Sequence, residues 1–129
     1  MNLSHLLQER QAGHQPVRVA VIGCGKFATM YLTQARTTPG IHIVGIADLD
    51  LARTRTNLQS AGWPESQTAA FSIDAAVESG GTFLTEDAVT LIGDERIDVV
   101  VEATGIPHAG IRHCQAAIRS GHHVVMVNV

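Results

Sequence analysis

The sequence carries one glycine-rich turn whose spacing suits the binding of phosphate groups. Residues 23–28 form a G-x-G-x-x-A pattern. Gly23 permits a tight turn out of a strand, Gly25 lacks a Cβ that would obstruct a pyrophosphate, and Ala28 is small enough for helix and strand to pack closely. The free N–H groups and positive dipole end of the following helix then favour the phosphates. The predicted dinucleotide contacts in this turn are Gly23, Gly25, Lys26, Phe27 and Ala28.

An acidic residue follows the turn at a suitable distance. Asp48 lies 25 residues after Gly23, near the offset of about 20 at which a carboxylate accepts hydrogen bonds from the adenosine ribose. Arg53 and Arg55 lie just into the next predicted helix, where a guanidinium can pair with a 2′-phosphate. They fit a solvated helix face equally well. Asp48 therefore favours NAD and the arginines favour NADP, and the residues alone leave both cofactors open.

A second group of candidate residues follows the fourth predicted strand. Thr104 and Gly105 come directly after it and are expected to contact the nicotinamide-side ribose through their backbone groups. Glu102, at the strand end, is either buried at the sheet edge or takes a pairing or solvated role. His108 lies just inside the next helix, and Asn128 ends the last predicted strand, so both are candidates near the cofactor. No residue is assigned as the catalytic acid or base.

Cysteine and histidine residues do not predict a metal site. His108 and His113 are five residues apart and share a helix face poorly, while His122 and His123 are adjacent on a predicted strand and point to opposite sides. No Cys or carboxylate cluster completes a ligand set, so no metal is expected. Cys24 lies in the glycine turn, where a helix N-terminus favours a thiolate, although it also fits as a small filler residue.

Composition excludes several classes of protein. The chain has 129 residues, a net charge of −3 and two cysteines, and 45% of its residues are hydrophobic. This charge argues against a nucleic-acid partner, and two cysteines cannot form a disulfide framework. No apolar run approaches the roughly 18 residues of a membrane span, and the first 15 residues lack the features of a signal peptide. We therefore expect a cytoplasmic protein without membrane contact.

Alternating strands and helices predict an α/β fold. The predicted strands are 17–22, 41–47, 82–84, 97–103 and 122–127, and the predicted helices are 26–37, 50–60, 72–79, 86–92 and 107–120. Such alternation indicates a Rossmann-like, doubly wound parallel sheet with strand order 3-2-1-4-5. Residues 17–129 form the predicted NAD(P)-binding domain. Residues 1–16 form a helical appendage, in which Leu3, Leu6 and Leu7 share a face and Ser4 is the N-cap.

Several segments together carry a family resemblance. Residues 17–28, 44–48, 97–105 and 121–128 resemble the NAD(P)-binding domain of homoserine dehydrogenase-like oxidoreductases, to which Gfo/Idh/MocA enzymes are related. The N-terminal stretch and residues 124–129 are most similar to the SAF-domain subgroup, which includes NADPH-dependent, deoxyxylulose-phosphate reductoisomerase-like enzymes. That resemblance favours NADP. Because we also expect Asp48 to be able to rotate outward, while Arg53 and Arg55 lie on a helix whose start faces the adenosine, we slightly prefer NADP. Val129 stands where homoserine dehydrogenases carry Lys, and the Glu-Lys-Pro of Gfo/Idh/MocA enzymes is absent, so homoserine is not carried over as the substrate.

The functional expectation is an NAD(P)-dependent oxidoreductase. We expect the chain to be part of a longer enzyme in which a C-terminal domain binds a small-molecule substrate, to be inactive alone, and to form a homo-oligomer at full length. The alternative is a non-enzymatic nucleotide-responsive module, either a redox sensor or a CoA-binding domain. A redox-sensing repressor would need a basic DNA-binding element, and CoA binding would not need Asp48. A scaffold with a vestigial site is a third possibility, against which Gly23, Gly25 and Asp48 argue.

Overall fold

The computed structural model describes residues 5, 6, 8, 9, 13 and 15–127. His5, Leu6, Gln8 and Glu9 are helical, whereas Leu3, Ser4 and Leu7 lie outside the described residues. From residue 15 onward the elements are β1 (Val17–Ile22), α1 (Lys26–Ala35), β2 (Ile41–Ala47), α2 (Leu51–Ser60), a 3-10 helix (Glu65–Thr68), α3 (Ile73–Ser79), β3 (Phe83–Thr85), α4 (Ala88–Ile92), β4 (Val99–Glu102), α5 (Pro107–Arg119) and β5 (His123–Met126).

The strands form one parallel sheet in the order β3-β2-β1-β4-β5. This confirms the predicted strand order and the Rossmann-like fold. β1 is central, and the chain leaves it toward β2 on one side and returns to β4 on the other. The carboxyl ends of β1 and β4 therefore flank the point where the direction of the strand order reverses, which is where ligands bind in open α/β sheets.

The core lies on both faces of the sheet. Val19 and Val21 of β1 contribute to one buried cluster, which contains Ala28 and Leu32 of α1. Ala20 and Ile22 point the other way and join a second cluster with members from α4, β4 and α5. Because successive strand residues alternate between faces, β1 must be apolar at every inner position. This explains why the predicted first strand, residues 17–22, is nearly continuously apolar, with Arg18 as the exception.

Side-chain caps and glycines set the element boundaries. Asp50, Ser72 and Asp87 each accept a hydrogen bond from a backbone N–H three residues later, so α2, α3 and α4 begin directly after them. Gly80 adopts a left-handed φ of +79° at the end of α3. α1 ends at Ala35, two residues earlier than predicted, because Thr37 and Thr38 turn back to bond the carbonyl of Gln34.

The segment between α2 and α3 contains a short helix that the sequence did not predict. Pro64 precedes the 3-10 helix of residues Glu65–Thr68. Next to it, the buried Trp63 donates from Nε1 to the carbonyl of Leu32 at 3.0 Å. Trp63 therefore joins the end of α2 to α1, and through it this segment packs against the sheet. In the described part of the chain, no helix has the length and apolarity needed to cross a bilayer.

Candidate functional site

The glycine turn leaves β1 by a path that requires glycine at position 23. Gly23 has φ +93°, and a Cβ at this position would lie 2.9 Å from the carbonyl carbon and oxygen of Ala103. The N–H of Gly23 donates to the carbonyl of Ala47 at 2.7 Å. The turn is therefore held between the ends of β2 and β4, and Gly23 serves both the tight turn and the close approach of the neighbouring chain.

Gly25 has a different environment, because the space next to it is open. It is the N-cap of α1 with φ −85°, and a Cβ built on it meets nothing within 4 Å. No side chain caps α1, so the N–H groups of its first turn have no intrahelical partner. Ala28 is fully buried against the sheet, whereas Phe27 is 44% exposed. An uncapped helix N-terminus beside open space is the geometry that an anionic group can enter.

Asp48 joins the end of β2 to the glycine turn. Its Oδ2 accepts the backbone N–H of Cys24 at 2.8 Å, and its Oδ1 accepts the N–H of Asp50 at 2.8 Å. Arg53 donates from one guanidinium nitrogen to both oxygens, at 3.1 and 3.2 Å. The Asp48 side chain is only 7% exposed. The chain's own donors therefore already occupy the carboxylate predicted to bind the ribose.

The two candidate arginines lie in different places. The Arg53 side chain is 55% exposed and covers Asp48. Arg55 instead lines a separate cleft of about 400 Å³ with Leu58 and Trp63, on another face of α2. Residues two apart on a helix point in different directions, so the structure brings only Arg53 to the predicted ribose position.

Asn57 is a contributor to the turn that the sequence analysis missed. Its Nδ2 donates to the carbonyl of Cys24 at 2.8 Å, and Thr29 Oγ1 donates to the carbonyl of Gly25 at 2.8 Å. α2 therefore stabilises the glycine turn from one side and α1 from the other. A polar residue one helical turn beyond Arg53 was the only signal in the sequence, and it did not distinguish Asn57 from a solvated residue.

Cys24 is not an activated thiolate. Its side chain is fully buried, and this burial is the largest of the effects that raise the pKa of the thiol above 9.0. The nearby Asp48 carboxylate raises the pKa further, while the Thr29 hydroxyl and Arg53 act in the opposite direction. Of the two interpretations of Cys24, the burial therefore supports the small filler residue in the core rather than the thiolate.

A buried polar network follows β4. Glu102 is 2% exposed, and its Oε1 accepts both the N–H and the hydroxyl of Thr104. Its Oε2 contacts Nδ1 of His113, which is 9% exposed. Thr104 Oγ1 in turn accepts the N–H of Ile106 at 3.2 Å. Glu102 is thus both buried and paired, and it holds the loop that contains Thr104 and Gly105. His113 was considered in the sequence only as a metal ligand.

One cleft of about 490 Å³ contains four of the predicted cofactor contacts, whereas Gly25, Lys26, Phe27, Ala28 and Gly105 do not line it. It opens at the carboxyl ends of β1–β4, and its lining includes Gly23, Asp48, Arg53, Thr104 and His113. Lys26 and Phe27 begin α1 next to Gly25, and Gly105 has φ +69° beside Thr104. His108 is exposed and does not line the cleft. Asn128 lies outside the described residues.

Three solved structures illustrate the similarity of the fold. Biliverdin reductase from Synechocystis sp. PCC 6803 has a TM-score of 0.64 and 24% identity, over 86% of this chain and 29% of that protein. Myo-inositol dehydrogenase from Lactobacillus casei has a TM-score of 0.61 and 17% identity, over 86% of this chain and 28% of that protein. Homoserine dehydrogenase from Thiobacillus denitrificans has a TM-score of 0.60 and 23% identity, over 88% of this chain and 23% of that protein. This chain thus spans less than a third of each protein. Among curated proteins, none matches it.

A family match covers the same region as the sheet. The Gfo/Idh/MocA family, described as an oxidoreductase family with an NAD-binding Rossmann fold, matches residues 17–126. The match begins with β1 and ends with β5, and it includes the glycine turn, Asp48 and the loop after β4. The chain therefore belongs to the Gfo/Idh/MocA family of oxidoreductases and carries its NAD-binding Rossmann fold.

Proposed function

We propose that this chain binds a nicotinamide dinucleotide and serves as the cofactor-binding part of an NAD(P)-dependent oxidoreductase. The observation that carries the proposal is the open space beside Gly25 at the uncapped N-terminus of α1. Pyrophosphate oxygens placed there would accept hydrogen bonds from the first-turn N–H groups and interact favourably with the helix dipole. Gly23 and Ala28 support this site by holding the turn and α1 against the sheet.

The remaining site residues would orient the two ends of the cofactor. Asp48 and Arg53 follow β2, where the adenosine ribose is expected, and the backbone groups of Thr104 and Gly105, which follow β4, would contact the nicotinamide-side ribose. Glu102 stabilises the loop after β4, because its Oε1 accepts hydrogen bonds from the N–H and the hydroxyl of Thr104. When bound, the nicotinamide supplies the hydride chemistry, and the protein contributes binding and orientation. Asn128 is a proposed further contact on the nicotinamide side.

Both phosphate states of the cofactor fit the proposal. The Synechocystis biliverdin reductase structure contains NADP+ and the L. casei myo-inositol dehydrogenase structure contains NAD(H), so the neighbours do not support the slight preference for NADP. In the chain itself Asp48 cannot turn away freely, because the N–H groups of Cys24 and Asp50 hold both of its oxygens. Arg53 can leave Asp48 more easily. We therefore propose that Arg53 decides how well each cofactor binds.

The reaction of the whole protein is a wider proposal. The sequence resemblance supports a homoserine dehydrogenase-like or reductoisomerase-like oxidoreductase of the SAF-domain subgroup that acts on a small-molecule substrate. We propose further that it works in the cytoplasm as a homo-oligomer. The catalytic acid or base and the substrate contacts are not assigned to residues of this chain.

Calorimetric titration with NADH, NADPH and CoA tests the proposed function. We expect micromolar or weaker binding of a nicotinamide dinucleotide and no binding of CoA. Gly25→Val should abolish dinucleotide binding while the protein stays folded, because φ at this position suits any residue. Gly93→Ala is the control, since its new Cβ makes only ordinary contacts with the carbonyl oxygens of Val89 and Thr90. Unchanged dinucleotide affinity in a folded Gly25→Val variant would refute the assignment, and CoA binding would favour a nucleotide-responsive module.

A further inference from the structure

A second cleft lies at the end of the sheet opposite to the cleft that contains Asp48. This amino-end cleft has a volume of about 480 Å³ and is bordered by Arg18 and His42, near the starts of β1 and β2, and by residues 78–80 at the end of α3. The volume is within the range of roughly 300–1,000 Å³ for small-molecule sites. Among the described residues, none lines both clefts. A ligand in the amino-end cleft therefore leaves the proposed cofactor site open.

Two arginines give the amino-end cleft its positive charge. Arg18 belongs to β1 and Arg36 directly follows α1, and both line the cleft. Arg18 is paired in register with His42 of β2, so their side chains lie on the same face of the sheet. Burial lowers the pKa of His42 below its ordinary value of 6.5, and Arg18 also lowers it, whereas the hydrogen bond to the carbonyl of Gly81 acts in the opposite direction. His42 is therefore neutral near pH 7, and the arginines carry the charge.

Neither guanidinium has a partner in the described part of the chain. The arginine ion pairs found there belong to Arg53 and Arg96, and the hydrogen bonds of Arg18 and Arg36 to described residues come from their backbones. The Nε of Arg18 is in addition enclosed, and no described residue accepts a hydrogen bond from it. An enclosed donor without an acceptor is unfavourable and calls for an explanation. An acceptor supplied by a ligand at Arg18 is such an explanation.

The carboxylates near the amino-end cleft leave its arginines without a counter-charge in contact. Among the described residues that line the cleft, Glu78 is the one that carries a carboxylate. Glu78 is exposed and forms no ion pair with a described residue. Asp98 accepts the backbone N–H of Arg18 through Oδ2 at 2.9 Å, and it does not line the cleft. Two positive charges thus face one exposed negative charge, which favours an anionic ligand.

Apolar side chains form another part of the lining. Ile41, Ile43, Trp63 and Val77 border the amino-end cleft, and Ile43 and Trp63 are buried. Walls of low dielectric strengthen the attraction between a guanidinium and an anion. The N–H groups of a guanidinium also match the paired oxygens of carboxylate and phosphate groups. The lining therefore suits a small molecule with an oxyanion group and a short apolar part.

We propose that the amino-end cleft binds a small anionic molecule, whose carboxylate or phosphate group contacts Arg18 and Arg36. The apolar part of this molecule packs against Ile43 and Trp63. Because this cleft and the glycine turn lie at opposite ends of the sheet, the ligand is distinct from the cofactor. The inference does not depend on the proposed function.

Tryptophan fluorescence provides a local test, because Trp63 is the one tryptophan in the sequence and borders the amino-end cleft. The wild-type chain is titrated with inorganic phosphate and, separately, with succinate, near pH 7 and at constant ionic strength. We expect a saturable change in fluorescence, and the anion that binds more tightly identifies the group that the cleft prefers. Arg18→Gln and Arg36→Gln should each weaken binding by about tenfold or more, as expected for hydrogen bonds to a charged group. Glu78→Gln should strengthen binding by about two- to fivefold, because an exposed like charge is removed.

Two control variants separate this cleft from other anion sites. Arg55→Gln should keep the wild-type affinity, although Arg55 and Trp63 both border a neighbouring cleft. Gly25→Val should also keep it, because the glycine turn lies at the other end of the sheet. Circular dichroism verifies folding, and Arg36 is exposed, so its replacement leaves the core intact.

Three results would overturn the inference. The first is the absence of a saturable fluorescence change with both anions in the wild-type chain. The second is wild-type affinity in folded Arg18→Gln and Arg36→Gln variants. The third is loss of anion binding in Arg55→Gln or Gly25→Val, which would assign the anion to the neighbouring cleft or to the glycine turn. Each of these results leaves dinucleotide binding, which is measured separately by calorimetry, unaffected.

Discussion

The guanidinium of Arg53 lies 3.1 Å from Oδ2 and 3.2 Å from Oδ1 of Asp48 and so covers the carboxylate that we propose as the contact of the adenosine ribose. Two backbone N–H groups occupy the same two oxygens. Ribose hydroxyls can therefore reach Asp48 only if Arg53 moves away. A 2′-phosphate, by contrast, gives Arg53 a new partner. The ion pair between Arg53 and Asp48 therefore disfavours the binding of NAD, whereas Arg53 favours the binding of NADP.

Arg53→Ala should change the two affinities in opposite directions. NADPH binding should weaken by about 1–3 kcal/mol, the range for a hydrogen bond to a charged group. NADH binding should improve by no more than about 1 kcal/mol, because Arg53 is half-exposed and its pairing with Asp48 is correspondingly weak. Calorimetric titration measures both. Arg55→Ala is the control and should alter neither, and equal losses of both cofactors in Arg53→Ala would contradict this selection.

Gly23→Ala should destabilise the fold more than the same change at Gly62. Both glycines have positive φ, at +93° and +86°, so both substitutions cost about 1–2 kcal/mol of backbone strain. The new Cβ at Gly23 also lies 2.9 Å from backbone atoms of Ala103, whereas at Gly62 it meets nothing within 4 Å. We therefore expect Gly23→Ala to lower the free energy of unfolding by about 1–3 kcal/mol more than Gly62→Ala does. Urea unfolding of the two variants provides the comparison, and equal losses would show that the strands relax around the added methyl group.

Asn57→Ala should loosen the glycine turn without disrupting the sheet. The variant loses the 2.8 Å hydrogen bond from Nδ2 to the carbonyl of Cys24, which should lower the free energy of unfolding by about 0.5–1.5 kcal/mol. Dinucleotide affinity should fall as well, because the turn that presents the phosphate site becomes less ordered. Thermal denaturation and titration measure the two effects. Gln59→Ala, two residues further along α2, is the control. Unchanged affinity would mean that α1 alone holds the turn.

Cys24 should react slowly with alkylating reagents in the folded protein. Burial raises the pKa of its thiol above the ordinary value of 9.0, so the neutral form persists at pH 8 and the reactive thiolate is scarce. Iodoacetamide should modify the partly buried Cys114 first, and mass spectrometry of peptides identifies the site. A Cys114→Ser variant isolates the rate at Cys24. If Cys24 is alkylated in the folded variant as fast as in the urea-unfolded variant, its thiol is not buried.

The same shift predicts how stability depends on pH. The folded state keeps the Cys24 thiol neutral to a higher pH than the unfolded state does. The stability is therefore unaffected by this group below pH 9 and falls as the pH rises beyond it, because the unfolded thiol ionises first. Cys24→Ala should remove this alkaline component of the stability curve. Chemical denaturation between pH 8 and pH 10 provides the measurement, and an identical alkaline loss in the variant would assign it to another group.

The strand order, the position of the glycine turn and the approximate limits of most elements were predictable from the sequence alone. These features depend on short-range patterns. Nearly continuous apolar runs such as 17–22 indicate buried strands, and Pro107 and Gly121 bracket α5 as expected for a helix start and stop. Predicted boundaries differed from the structure by up to two residues, because side chains such as Asp50 and Asp87 cap the helices at positions that only local geometry selects.

Only the tertiary structure decided which polar groups meet in the cleft. Asp48 reaches Cys24, Asn57 reaches the same turn, and His113 reaches Glu102. Each of these contacts depends on how far a helix is rotated about its axis and how closely it approaches the sheet. Arg53 and Arg55 were equivalent candidates in the sequence. Because they are two residues apart on α2, their side chains point about 200° apart around the helix axis. Residue types and spacing predicted a dinucleotide site, whereas packing determined which side chains are free to contact the ligand.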